Sequence, residues 1–162
     1  MNEGPWWRGR RGEWYVVVQS LLILLVAVGP RTCLGWPAWP FPNWWLVPIA
    51  GASLILTGTV FFVGAAVRMG PSLTALPYPT EQATLIETGL FRFVRHPIYC
   101  SVILGSFGWA LLTRGWLTIL YAAVLAAFLD IKARREERWL EEKFSGYAAY
   151  RARVRKLVPF VY

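Results

Sequence analysis

The side chains most able to do chemistry lie in two short stretches of the sequence. The first, residues 85–99, reads LIETGLFRFVRHPIY and holds the only histidine, His96, together with Arg92 and Arg95. His96 precedes Pro97, and proline favours the first turn of a helix, so His96 is expected at a helix N-cap. The free N–H groups of such a turn, with the nearby arginines, can bind an anion such as a carboxylate. This stretch therefore predicts an anion site at the start of a helix.

The second stretch, residues 132–147, reads KARREERWLEEKFSGY. On a single helix its apolar side chains share one face, which also carries Glu136 and Lys132, while Glu137 borders that face. Either Glu136 pairs with Lys132 one turn away, a weak surface contact, or it faces a binding site. The other residues on the face are Trp139, Leu140, Phe144 and Tyr147, and those off it are Arg134, Arg135, Arg138, Glu141 and Glu142.

Long apolar runs place both stretches at the edge of a membrane. The chain is 56% hydrophobic and has ten Trp in 162 residues, too apolar for a soluble domain of this size. We expect an all-α, polytopic transmembrane helix bundle forming a single membrane domain over residues 1–162. The predicted spans are residues 14–29, 44–67, 97–113 and 116–131. The third and fourth spans are each only about 25 Å long, so either the turn between them lies in the membrane interface or the fourth helix continues past residue 131.

The distribution of basic residues predicts the orientation of the helices. Fifteen of the 17 Lys and Arg, including Arg8, Arg10 and Arg11, lie at the N-terminus, in residues 68–96 or in residues 132–159, while Arg31 and Arg114 lie opposite. Both termini are therefore expected in the cytosol, in the plasma membrane if the source is bacterial. The net charge of +8 flanks apolar runs, so no nucleic-acid partner is expected.

Cysteine and metal chemistry are not expected here. Cys33 and Cys100 fall near opposite ends of the predicted spans, about 30 Å apart, so they should not pair. The single histidine belongs to no cluster with the spacing of metal ligands, and the sequence has no glycine-rich phosphate loop. The first apolar run lacks a small-residue cleavage site, so we expect a retained helix.

Two segments together resemble the paired signature of a membrane enzyme family. They are GLFRFVRHPIY, residues 89–99, and RREERWLEEKFSGYAAYRARVRKLVP, residues 134–159. They are similar to the isoprenylcysteine carboxyl methyltransferase and phospholipid methyltransferase group, over residues 68–159. The resemblance implies methyl transfer from S-adenosylmethionine bound at the cytosolic face, by residues 68–96 and 132–159. FSGYAAY, residues 144–150, is one residue shorter than the F-G-x-x-Y-x-x-Y run common in the family, which leaves the register beyond Phe144 open.

The resemblance also implies roles for individual residues. S-adenosylmethionine has three parts that such residues can bind. Its sulfonium favours carboxylates, its carboxylate favours a basic group or a helix start, and its adenine favours apolar packing. The implied cofactor-binding residues are Leu85, Ile86, Phe91, Arg95, His96, Pro97, Ile98, Tyr99 and Glu136, and the implied catalytic residues are Glu136, Glu137 and Arg134.

Several alternatives stay open at this point. His96 could cap its helix, Tyr99 could be an interfacial tyrosine, and the arginines could be membrane anchors. Membrane sterol-type reductases look similar in their last third and use NADPH, although they usually carry Asn at the position of Ile98. A catalytically silent membrane scaffold of the same fold is a third reading.

The methyl acceptor is expected to be lipid-soluble or amphipathic and to come from within the bilayer. The third and fourth spans carry too few polar side chains to line an aqueous path. A prenylcysteine carboxylate, a phospholipid amine, a thiol and a quinone-like hydroxyl all remain possible, and the oligomeric state is open.

Overall fold

The fold is described for residues 12–33, 45–76, 78–79, 83–159 and 161–162 of a computed structural model. These residues form no β-strand, and a single parallel bridge joins Val94 to Arg155. The basic residues Arg8, Arg10 and Arg11, and the predicted start of the second span at residue 44, lie outside them. The helices are α1 (Glu13–Val28), α2 (Leu46–Met69), α3 (Pro97–Thr113), α4 (Trp116–Lys143) and α5 (Tyr147–Arg153), with 3₁₀ turns at Gly70–Ser72 and Gly89–Arg92.

Within the described residues, two helices, α2 and α4, are long and apolar enough to cross a membrane. The shorter helices α1 and α3, of 16 and 17 residues, are also apolar. Much of the α2 surface is apolar and exposed, as at Leu56, Val60 and Val67. A large exposed apolar surface is typical of a helix that contacts lipid.

Helices α2 and α3 are packed backbone to backbone through glycines. A Cβ atom on Gly51 would lie 2.7 Å from Gly108 O, and one on Gly58 would lie 2.9 Å from Ser101 O. Gly51 and Gly58 are seven residues apart, so they lie on one face of α2. Small residues allow this close approach, which is common between membrane helices.

Helix α4 continues beyond the apolar run that predicted it. It begins at Trp116 as expected but extends to Lys143 as one helix of 28 residues, so the fourth helix does run past residue 131. Its apolar part, residues 116–131, is followed by a polar extension, residues 132–143. The expectation of one helix through Tyr147 is wrong, because Phe144 is extended and a turn at Ser145 and Gly146 precedes α5.

Helix α1 packs on α4 through a small apolar core. Val26 of α1 is buried against Leu125 and Leu129 of α4. At the end of the bundle away from His96, Leu117 N–H donates to Arg31 O, 3.1 Å away. The end of α1 and the α3–α4 turn therefore lie side by side.

Candidate functional site

Arg95 and His96 are held by the segment that follows α5. Arg95 N–H donates to Arg155 O at 2.8 Å, and His96 N–H donates to Lys156 O at 3.1 Å. His96 is the N-cap of α3 and Pro97 its first helical residue, as the sequence predicts. The His96 side chain makes no capping hydrogen bond, so its ring has other partners.

Glu137 of α4 is the centre of a buried charge cluster. Its Oε1 accepts a hydrogen bond from Arg95 Nε at 2.8 Å and lies 3.1 Å from His96 Nε2. Arg151 Nε lies 3.9 Å from Oε2. Glu137 is only 3% exposed, although the sequence placed it at the border of the apolar face. The cluster joins α4 to the start of α3.

The electrostatics of this cluster favour the charged carboxylate. Burial alone would raise the pKa of Glu137, which lies in the polar extension of α4. The hydrogen bonds and charges of His96 and Arg95 outweigh burial and lower that pKa to about 2. Glu137 is therefore ionised at neutral pH and is occupied by protein partners.

Glu136 has different partners from its neighbour. Its Oε2 accepts a hydrogen bond from the Tyr99 hydroxyl at 2.6 Å and lies 3.7 Å from His96 Nδ1. The rings of His96 and Tyr99 are stacked, with centroids 5.2 Å apart. The Glu136 side chain is 23% exposed, against 4% for Glu137. Glu136 is thus the carboxylate that keeps an open side.

Lys132 does not make the ion pair with Glu136 that the sequence left open. Its Nζ donates to Gln19 Oε1 at 2.7 Å and to Ala75 O at 2.9 Å, and it lies 5.3 Å from the centre of the Tyr99 ring. This buried contact connects α1, α4 and the loop after α2. Sequence reasoning did not single out Gln19, although it is a polar residue within an apolar run.

A cavity of about 110 Å³ lies beside Glu136. A wider open cleft of about 740 Å³ adjoins it and shares part of its wall. The shared residues are Met69, Ser72, Thr84, Leu85 and Ile86. The other residues around the cavity are Thr74, Leu76, Pro79, Ala83, Phe91, Arg95, His96, Glu136, Leu140, Phe144, Tyr147 and Tyr150.

Two tyrosines of α5 complete the cavity wall. The Tyr150 hydroxyl donates to Phe91 O at 2.7 Å. The Tyr147 hydroxyl is buried without a hydrogen-bond partner among the described residues. Tyr147 was predicted only as part of an apolar face, because the turn before α5 was not recognised.

The cavity brings together some of the sequence-predicted site residues and leaves out others. Tyr99 and Glu137 contact His96 from outside the cavity wall. Pro97 and Ile98 belong to the first turn of α3 and are not part of the wall either. Arg134 lies elsewhere: it is exposed and pairs with Asp130 at 2.8 Å. The predicted residues on the wall are Leu85, Ile86, Phe91, Arg95, His96 and Glu136.

Comparison with protein families identifies the group to which this arrangement belongs. Residues 46–146, more than half of the chain, match the family model for phospholipid methyltransferases, and they contain both His96 and the acidic pair. The chain belongs to the phospholipid methyltransferase family. The matched region ends before α5, so Tyr147 and Tyr150 lie outside it.

The relatives of this phospholipid methyltransferase family member are named for two kinds of reaction, O-methylation and S-methylation. The chain is 30% identical to protein-S-isoprenylcysteine O-methyltransferase A of Arabidopsis thaliana, over 74% of the chain and 62% of that protein. It is 29% identical to the Saccharomyces cerevisiae protein-S-isoprenylcysteine O-methyltransferase, over 72% of the chain and 50% of that protein. It is 38% identical to methanethiol S-methyltransferase 1 of Bradyrhizobium diazoefficiens, over 44% of the chain and 25% of that protein. The chain therefore spans about three fifths or less of the relatives it matches.

A solved structure shares the fold of this family member. The chain resembles the eukaryotic intramembrane Ras methyltransferase ICMT with a TM-score of 0.66 and 21% sequence identity. The similarity covers 99% of this chain and 55% of that one. The shared architecture is that of a helical membrane protein.

Proposed function

We propose that this protein is an S-adenosylmethionine-dependent methyltransferase that acts at a membrane on a lipid-soluble or amphipathic acceptor. The observation that carries the proposal is the cavity itself. Arg95 and His96, before α3, and Glu136, on α4, are distant in sequence but line one cavity with Leu85, Ile86 and Phe91. A carboxylate, a guanidinium group and apolar walls are the groups that this cofactor requires.

The space beside Glu136 suits the cofactor only together with the cleft. The cavity of about 110 Å³ is smaller than the roughly 300–1,000 Å³ typical of ligand sites. The adjoining cleft of about 740 Å³ supplies the remaining volume. The buried Tyr147 hydroxyl, which has no partner among the described residues, is a further sign that a polar ligand belongs there.

The charged side chains of the site have different proposed roles. The cofactor supplies an activated methyl group on a cationic sulfur. Glu136, with its open side, is the carboxylate placed to attract that cation, while Glu137 keeps Arg95 and His96 in position. Tyr99 holds the Glu136 carboxylate at 2.6 Å and so fixes its direction. Alignment of the reacting groups is the main contribution the protein makes to an in-line displacement. Arg134 receives no role, because it lies away from the cavity.

An apolar groove favours an acceptor that arrives through the lipid. The groove, of about 430 Å³, lies between α1 and α3. Its walls begin one turn from Gln19 on α1 and from Tyr99 on α3, next to the buried Lys132 contact. A hydrocarbon chain in this groove would place its head group near Tyr99 and Glu136. The groove is lined by Ile23, Val26, Ala27, Val102, Gly105, Ser106 and Trp109.

The proposed topology is four spans with both termini in the cytosol. Helices α1 and α3 join α2 and α4 as spans, and the loop before α3 and the polar extension of α4 share the cytosolic face. The distribution of basic residues supports this arrangement. The packing of α2 on α3, of α3 on α4 and of α4 on α1 supports one bundle.

Calorimetry with adenosylhomocysteine, the cofactor product, tests the proposal. Wild-type protein in detergent should bind it, and Glu136→Gln should weaken binding about ten- to a hundredfold through loss of a charged partner. The matched control is Glu141→Gln, because Glu141 is exposed on the same helix and pairs with Arg151. Equal affinities of the two variants would contradict the role of Glu136. Thermal stabilisation by NADPH instead would favour a reductase, and a response to neither ligand would favour a scaffold.

The acceptor is identified by following the methyl group. Purified protein is incubated with radiolabelled S-adenosylmethionine and a total membrane-lipid extract, and the products are partitioned. Label should enter the organic phase. Relatives are named for prenylcysteine and for methanethiol, so a parallel reaction with a cytosolic metabolite pool is required. Equal or exclusive labelling of water-soluble products would rule out a lipid acceptor.

A further inference from the structure

The Tyr147 hydroxyl is a buried polar group without a hydrogen-bond partner in the part of the chain that the structure describes. Tyr147 is the first residue of α5, is 1% exposed and lies on the cavity wall. Its oxygen has no hydrogen-bond partner among the described residues. Buried hydroxyls are almost always hydrogen-bonded, because leaving one unpaired costs free energy. This hydroxyl therefore requires a partner beyond those that the described residues supply.

The neighbouring Tyr150 is a buried tyrosine on the same wall whose hydroxyl has a partner within the fold. It is 3% exposed, lies on the same wall, and its ring centroid is 5.8 Å from that of Tyr147. Its hydroxyl donates to Phe91 O at 2.7 Å, so its hydrogen bond is complete within the protein. The two tyrosines differ in whether the hydroxyl is used by the fold.

The Tyr147 hydroxyl is a hydrogen-bond donor on a cavity wall that also carries apolar side chains, such as Leu85 and Phe91. Burial, with the charge of Glu137, raises the pKa of Tyr147, so the hydroxyl keeps its proton at neutral pH. The preceding residue, Gly146, faces Leu85: a Cβ atom there would lie 3.8 Å from Leu85 Cδ2. Tyr150 connects the same wall to Phe91. Leu85, beside Gly146, and Phe91, beside Tyr150, give this wall apolar residues that suit a flat aromatic base.

We propose that Tyr147 binds the adenine of the cofactor, its hydroxyl donating a hydrogen bond to a ring nitrogen. The inference rests on the proposed function, which supplies the cofactor. Adenine carries several acceptor nitrogens on an otherwise apolar ring, so one O–H donor within apolar walls matches it. Tyr147 is then a cofactor contact on the α5 side of the cavity.

Stability measurements without ligand test the first half of the proposal. Tyr147→Phe removes an unpaired hydroxyl, so the melting midpoint should rise, by about 2–4 °C. Tyr150→Phe removes a paired hydroxyl and leaves Phe91 O without its donor, so the midpoint should fall. A fall in Tyr147→Phe equal to that in Tyr150→Phe would show that the hydroxyl has a protein partner and would overturn the proposal.

Binding measurements test the second half. Despite its higher stability, Tyr147→Phe should bind adenosylhomocysteine about tenfold more weakly than wild type. It should show the same loss with 5′-methylthioadenosine, which lacks the amino-acid part. A loss confined to adenosylhomocysteine would overturn the assignment to adenine, and an affinity within twofold of wild type would overturn the contact. Either result leaves the proposed function standing, whereas absence of binding by wild type would overturn both.

Discussion

The two adjacent carboxylates of α4 have separate surroundings. Glu137 is enclosed by Arg95 and His96, while Glu136 accepts one hydrogen bond from Tyr99 and keeps an open side toward the cavity. Removing one partner of a buried charge leaves the other unpaired, which is costly. Glu137 therefore belongs to the framework of the site, and Glu136 is the carboxylate with a side open to the cavity, as its proposed role in cofactor binding requires.

Glu137 should stabilise the fold in a pH-dependent way. Its pKa of about 2 lies below the ordinary value of 4.5, so folding favours the ionised form. This stabilisation is complete above about pH 4.5 and is lost as the pH falls toward about 2. The melting midpoint of Glu137→Gln should lie below that of wild type at pH 7, and the gap should narrow between pH 4.5 and 2. Glu142→Gln, at an exposed position of α4, should parallel wild type throughout.

Much of the side-chain chemistry could be predicted, but the depth of burial could not. The pairing of the His96 stretch with the acidic stretch followed from topology and from the family motif. Helical periodicity placed Glu136 inward and Glu137 at the border, because it counts only the residues of one helix. Arg95 and His96 arrive from another segment and draw Glu137 inward. Lys132 likewise donates a hydrogen bond to Gln19, 113 residues away in the sequence, rather than pairing with Glu136.

At the scale of elements, α4 contacts the segment before α3 directly through one carboxylate and indirectly through a second. Asp130 and Glu137 are seven residues apart and lie on one face of the helix. Glu137 contacts the side chains of Arg95 and His96, while Asp130 binds Lys156 Nζ at 2.6 Å. Because Lys156 O accepts from His96 N–H, the Asp130 contact supports the same dipeptide from its backbone side.

Breaking the Asp130 contact should loosen the segment that follows α5. Cys100 is buried and donates to Leu157 O, so its thiol reports whether that segment is docked. In a Cys33→Ser background, Asp130→Asn should raise the rate of Cys100 labelling about tenfold and weaken adenosylhomocysteine binding. Arg134→Gln removes the exposed partner of Asp130 and should change neither by more than about twofold. Unchanged labelling in Asp130→Asn would contradict this support.

The groove between α1 and α3 should limit the size of the acceptor. A Cβ atom on Gly105 would meet no other atom within 4 Å, so a larger side chain can enter the groove without a clash. Gly105→Leu should lower turnover of a long-chain lipid acceptor about tenfold or more and leave adenosylhomocysteine affinity unchanged. Gly105→Ala, which fills little of the groove, should behave as wild type. Equal turnover by all three proteins would show that the groove is not used.

Element boundaries show where local sequence information ends. The helices α3 and α4 start where apolar runs and Pro97 predict, because those signals are local. The end of α4 was missed because the apolar periodicity of residues 132–147 was interpreted on a single helix, although Ser145 and Gly146 form a typical turn pair. The bridge from Val94 to Arg155 joins two non-helical segments far apart in the chain. Such a contact cannot be predicted from the periodicity of apolar residues within either segment.

At the scale of the whole molecule, the two ends of the bundle differ in chemistry. One end carries the cavity and the charged cluster, and the other carries Arg31 beside the α3–α4 turn. Four antiparallel helices with the charged end in the cytosol would account for the distribution of basic residues. The fold shared with the intramembrane methyltransferase agrees with a helical bundle in a membrane.

Labelling of intact cells decides the orientation. A thiol reagent that cannot cross the membrane should react with Cys33, which is exposed at the proposed outer end, whereas Cys100 is buried. In a Cys33→Ser background, a cysteine introduced by Ser145→Cys should react only after the cells are permeabilised. The reverse pattern would invert the topology and separate the cavity from cytosolic cofactor.

The glycine contacts of α2 and α3 restrict where the bundle can open. With Gly51 and Gly108 backbone to backbone, parting these helices means losing a continuous interface, so they should move as one rigid body. Helix α1 is joined to α4 by the core around Val26, by the ring contact of Tyr15 with Phe128 and by the Lys132 contact with Gln19, none of which brings two backbones together. If the acceptor is a lipid, as proposed, its methylated product would leave sideways into the bilayer. We therefore expect product release to proceed past α1, at a pace set by the outward movement of that helix.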